Sequence, residues 1–140
     1  MKLKKTSSNN SLQDIILKHI TANPDSLIVA FCKGIMELYP LQGSAIALRR
    51  DSGFALHHSR NIFTDNPGMV FDYTDADIIV FSREGTHSKK ELLFIPDSNR
   101  TILLIIAPTK KNRVNIPEIQ EGIDLLAMAL AMLKEHEDLS

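Results

Sequence analysis

Hydrophobic spacing divides this 140-residue chain into helix, then sheet, then helix, and that order limits its fold more than any single motif does. Leu12, Ile15, Ile16 and Ile20 share one helical face behind Ser11, a fitting N-cap with Asp14 three residues on. A second helix, capped by Asp25 or Ser26, places Leu27, Phe31, Ile35 and Leu38 at spacings of four, four and three. Ile28, Cys32 and Tyr39 widen that face, so the helix is buried on more than one side, and Pro40 ends it.

From Gln42 the period shortens to that of strands. Ser44-Ala45-Ile46-Ala47-Leu48 and Phe54-Ala55-Leu56-His57-His58 flank an Asp51-Ser52-Gly53 turn and read as a hairpin. Asp77–Phe81, Glu91–Ile95 and Thr101–Ile106 read as three further strands, the last two joined by Pro96-Asp97-Ser98-Asn99, a turn suited to an antiparallel pair. Residues 61–76 form an irregular insert, long enough in a compact domain to be functional. Asn115, Pro117 and Glu118 then give a strong helix start. Ile119, Ile123, Leu126, Leu130 and Leu133 make its packing seam, with Leu125, Met128, Ala129 and Met132 beside it.

The chain is of single-domain length: residues 1–10 read as a flexible leader and 11–140 as one unit able to bury a core without disulfides. A net charge of -1 supplies no field for nucleic acid or an anionic membrane, and no apolar run is long enough to cross a bilayer as a helix. One cysteine, Cys32, excludes an internal disulfide and fits the cytoplasm. No serine stands in a Gly-x-Ser-x-Gly elbow, no glycine loop cradles phosphate, and no Cys/His spacing suits zinc. The sequence therefore supports neither a catalytic residue nor a metal ligand, and it names no cofactor.

In this order, with Gly43–Leu48 following the second helix and Thr101–Ala107 leading to Asn115-Ile116-Pro117-Glu118, the chain resembles GAF domains over nearly its whole length. The resemblance implies an α+β, GAF/profilin-like fold: a five-stranded antiparallel sheet in the order 2-1-5-4-3, with the N- and C-terminal helices on one face. It also implies a small molecule held over the other face, under the segments between strands. The family's cyclic-nucleotide signature is not kept, since Phe71 and Asp75 match but Ala76 stands where a Glu belongs. Cys32 falls on a helix, away from those segments, and reads as a small core residue.

Candidate ligand residues follow from chemistry. Phe71 and Tyr73 can stack on a planar ligand while Asp75 accepts its hydrogen bonds; Arg83 and His87 can form an anion-binding rim. His57 and His58 are neighbours on a strand, so they point to opposite faces and one of them, His57 in this reading, meets the ligand.

The apolar last helix suggests a homodimer, with Ile16, Ile20, Leu125, Met128 and Met132 at the interface. Each such side chain contributes about 1.5–3 kcal/mol when covered, against an association cost of ~4–15 kcal/mol, so both terminal helices are needed. Two functions fit. One is a non-catalytic sensory or regulatory domain that passes a signal to a downstream protein through a helical dimer; the other is a ligand-free docking adaptor of roadblock-like or degenerate GAF type.

Overall fold

A computed structural model describes residues 11–20, 23–50, 53–62, 70–72, 79–82, 91–110 and 113–139, with backbone alone at 71, 72, 79–82, 91 and 134–139. Among the described residues are three helices, α1 (Leu12–His19), α2 (Pro24–Leu38) and α3 (Ile116–Leu139). The strands are β1 (Leu41–Arg50), β2 (Gly53–Arg60), β3 (Val70–Asp72), β4 (Ile79–Ser82), β5 (Glu91–Pro96) and β6 (Ile102–Pro108). The expected starts are in place. Ser11 accepts from the Asp14 amide at 3.1 Å and Asn115 from the Glu118 amide at 3.2 Å. At α2 the cap is Asn23, not Asp25 or Ser26: its side chain accepts from the Ser26 amide at 2.8 Å, and Pro24 occupies the first turn, where its missing N–H costs nothing.

All strand pairs are antiparallel, in the order β3-β2-β1-β6-β5-β4. The fold is α+β as expected, but among the described residues the sheet has six strands where five were expected. The added strand is Val70–Asp72, inside the stretch read as irregular; it pairs with Gly53–Ala55 and extends the hairpin edge. Three residues are too few to show a period.

Side chains alternate between two apolar layers. Ile46, Leu93, Ile95, Ile102, Leu104 and Ile106 meet α1, α2 and α3. Ala45, Ala47, Phe54, Leu92, Leu103, Ile105 and Ala107 form the layer on the other face, with Ile62 beside them. Central β1 and β6 are buried on both faces, which accounts for their unbroken apolar runs.

α1 is wedged between the other two helices. A Cβ on Gly34 of α2 would lie 2.2 Å from Ile15 Cδ1, and one on Gly122 of α3 would lie 2.6 Å from Leu12 Cδ1. The two glycines are notches that let α1 settle close, leaving Ile16 wholly buried within one chain. Tyr39, at the end of α2, donates its hydroxyl proton to Glu118 in the first turn of α3 and closes the same end of the layer.

Candidate functional site

The β1–β2 hairpin contains an irregularity with chemical consequences. Ile46 pairs with His58 but Ala47 pairs with Leu56, so His57 is an extra residue in β2 and makes a β-bulge. Alternation is broken at that point. His57 reaches the helical side, where its Nε2 lies 2.7 Å from Asp25 Oδ1 on α2. His58 sits opposite Ile46, and Arg60 opposite Ser44, both of which also face the helices. The expectation that His57 and His58 point to opposite faces is thus corrected. His57 is on the helical side, not over the sheet face where a ligand was expected.

This pocket of polar groups is electrostatically uneven. Burial, then the nearby Arg60 and His57, hold the His58 imidazole below its ordinary pKa of 6.5. Its buried Nε2 has no hydrogen-bond partner among the described residues. Burial pushes the Cys32 thiol up to about 12, with Ser44 and Arg60 acting in the opposite direction. Cys32 is wholly buried, as expected of a core cysteine.

Beyond Gly34 and Gly122 the layer opens. The first turns of α2 and the stretch of α3 from Asp124 to Ala131 bound a cleft of about 1090 Å³, floored by the end of β1, the start of β6 and the β5–β6 turn. Ile28, Leu48, Ile102, Ala127, Met128 and Leu130 supply its apolar lining. Its carboxylates are engaged. Asp97, 3% exposed, accepts from the Thr101 amide at 2.6 Å, the Ile102 amide at 2.8 Å, the Thr101 hydroxyl at 2.9 Å and the Asn99 amide at 3.3 Å. Asp124 of α3 accepts from the Ser98 amide at 2.7 Å and the Ser98 hydroxyl at 2.8 Å. Gln120 adds a bond to the Pro96 carbonyl at 2.9 Å, so the β5–β6 turn is fastened to α3 from two sides. The acidic turn was visible in sequence; its grip on α3, 26 residues away, was not.

The remaining expected site residues separate. Phe71 lies in β3, in register with Phe54. Tyr73, Asp75, Arg83 and His87 lie outside the described residues, as do residues 1–10 of the expected leader. The expected dimer seam also divides: Ile16 is spent inside the chain, Ile20 and Leu125 are half-buried, and Met128 and Met132 stand 61% and 58% exposed. Among the described residues no three His, Cys, Asp or Glu side chains group to hold a metal, and no helix is long and apolar enough to cross a membrane.

No protein-family model matches the chain, and no curated protein matches its sequence. Solved structures do match. The GAF domain from an Acinetobacter phosphoenolpyruvate-protein phosphotransferase superposes with a TM-score of 0.69 at 10% identity, covering 99% of this chain and 98% of that one. The chain has the GAF fold. A second GAF domain, from a Pseudomonas syringae pv. tomato protein designated a sensor histidine kinase, gives a TM-score of 0.59 at 15% identity over 97% of this chain and 93% of that one. At such identities the shared property is the GAF architecture, in which helices that begin and end the domain lie together on one side of the sheet.

Proposed function

We propose that this chain is a non-catalytic sensory or regulatory GAF module of the cytoplasm that works as a homodimer and hands a conformational signal to a separate protein. The observation that carries this reading is the state of α3. Met128 and Met132 remain exposed on a helix whose Ile119, Ile123, Leu126 and Ala129 are buried, while Asp124 and Gln120 of the same helix are tied to the β5–β6 turn. A displacement in the sheet reaches α3 through those bonds, and a partner seated on the methionines would register it. Both solved neighbours come from proteins whose names denote a phosphotransferase and a sensor kinase, which supports a regulatory setting.

The ligand in this reading is a small molecule over the sheet face away from the helices, near Phe71, Tyr73, Asp75, Arg83 and His87. His57 is no longer among its candidates. One observation favours the docking-adaptor reading instead: Ala45, Ala47 and Ile105 on that face are already fully buried within the chain, leaving them no surface to offer a ligand.

Two measurements test these readings. Met128→Glu places a charge in the exposed stripe and shifts the mass in light scattering from dimer to monomer with the cooperative melt retained; an unchanged mass removes the dimer. Thermal-shift screening against nucleotides, tetrapyrroles and amino acids gives reproducible stabilisation for a sensor. Silence across that panel leaves the adaptor.

A further inference from the structure

Both methionines of α3 stand in its exposed row. The helix buries Ile119, Ile123, Leu126 and Ala129, none of which carries sulfur, whereas Met128 and Met132 are 61% and 58% exposed. A row that needed only cover could be built of leucine, as the seam beside it is; a thioether adds lone pairs that a ligand can use. His136 occupies the next place in the row, so α3 carries Met, Met and His at spacings of four and four. Positions four apart are neighbours on a helix, about 6 Å along its axis. Long helical side chains lean toward the N-terminus, which carries a donor back over the turn before it.

The donors of the row select a class of ligand. Asp124, one turn before Met128, is occupied by the Ser98 amide and hydroxyl at 2.7 and 2.8 Å, so it is not left over for a hard cation. Thioether and imidazole remain, and thioethers favour soft ions over magnesium, calcium or manganese. Cys32, the single thiol, is wholly buried and does not compete. His136 lies in the last turn of α3, where the negative end of the helix dipole favours a bound cation.

We propose that this row binds Cu(I), with the Met132 sulfur as the central donor and the Met128 sulfur and the His136 imidazole on either side of it. Cu(I) is a closed-shell ion that accepts two or three donors without a fixed polyhedron, so a flexible exposed row can hold it where structural zinc would need four converging ligands. The imidazole binds in its neutral form, so binding weakens as the pH falls and the free histidine takes up a proton. The site goes beyond the proposed regulatory function and does not rest on it, because leucine at 128 and 132 keeps the stripe apolar while removing its sulfur.

The test uses the full chain with carbon-13 in its methionine methyl groups, titrated without oxygen with Cu(I) against a competing chelator and, separately, with Zn(II). Saturable movement of the Met128 and Met132 methyl signals is expected with Cu(I), and none of Met36, which packs against the core. Met132→Leu and His136→Ala should each weaken Cu(I) binding at least about tenfold, and Met128→Leu less, with every variant melting like the parent. A chain carrying both Met128→Leu and Met132→Leu should lose Cu(I) binding and keep the parent's mass in light scattering, which tells a failed metal site from a failed dimer. Methyl signals unmoved by excess Cu(I) overturn the proposal, as does binding unchanged in the double variant. Zn(II) held as tightly as Cu(I) would give the site to His136 and the flanking Glu135 and Glu137 in place of sulfur, and overturns it too. Movement of the methyl signals with protein concentration alone, unaffected by Cu(I), assigns the row to a second copy with the same consequence.

Discussion

The helical layer has two ends, built from similar residues and finished differently. At one end Leu12, Ile15 and Ile16 of α1 are drawn between α2 and α3, because Gly34 and Gly122 remove the side chains that would hold the helices apart. At the other end no glycine notch is found among the described residues, α2 and α3 border a cleft, and Met128 stays 61% exposed. Both stretches are apolar stripes at helical spacing. The difference teaches that a stripe shows what seeks cover, whereas the residue facing it decides whether the chain itself can provide it.

The sharpest way to break this contrast is to truncate one side chain at each end. Ile16→Ala removes a fully buried group and should cost about 2–5 kcal/mol in denaturant unfolding. Met128→Ala, at the exposed end, should change stability by less than about 0.5 kcal/mol. Comparable losses at both sites, at dilutions that separate the proposed dimer, would show that Met128 is covered within the single chain after all.

Gly122→Ala sharpens the role of the notch. The new Cβ would lie 2.6 Å from Leu12 Cδ1 and 3.0 Å from Leu12 Cβ, a crowding that costs about 1–3 kcal/mol. Alanine also favours the helix by about 1 kcal/mol over glycine, which offsets part of the loss. The net effect, a loss of up to about 2 kcal/mol, should turn into a gain when Leu12→Ala vacates the space. A double-mutant cycle with no coupling between positions 12 and 122 would mean that α1 is not seated by this glycine.

How far the sequence discloses this architecture depends on the range of the interaction concerned. Caps such as Ser11 and Asn115 act over three residues and were legible, as was the Ile119, Ile123, Leu126 seam, whose period is its own signal. The bulge at His57 has no such mark. His-His-Ser lacks the glycine that often announces one, so its effect on side-chain direction emerges only from the register with β1. Gly34 and Gly122 look like weak spots in helices until the helix that crosses them is known. For the same reason Ile16 was expected at a dimer seam and was found inside the chain. The Asp25–His57 and Asp124–Ser98 pairs join residues far apart in sequence and could not be read from spacing.

At the open end, Asp124→Ala removes the acceptor of two bonds that hold Ser98 to α3 and should cost about 1–3 kcal/mol, since each net hydrogen bond is worth about 0.5–1.5 kcal/mol. The loss should be local. Amide exchange should rise in residues 97–101 and over the second half of α3, with the α1 amides unchanged. Faster exchange throughout α1 as well would mean that the two ends open together, and the contrast drawn between them would fail.

The smallest effect is expected from pH, and it belongs to His58. Burial and the neighbouring Arg60 and His57 lower its pKa in the folded chain, so the unfolded chain takes up a proton first as pH falls. The stability contributed by the neutral imidazole is therefore complete above about 6.5, the ordinary histidine value, and is lost progressively below it toward the lowered folded-state value. Between about pH 7.5 and about pH 5, His58→Gln should flatten the fall in melting temperature seen in the parent chain. His57→Gln removes one of the two neighbours that lower the His58 pKa and should flatten it less. Ile16→Ala, acting at the sealed end, should lower the whole curve and leave its slope alone. A slope unchanged by His58→Gln would mean that the acid sensitivity arises elsewhere, and that the bulge does not bring His58 under the helices in solution.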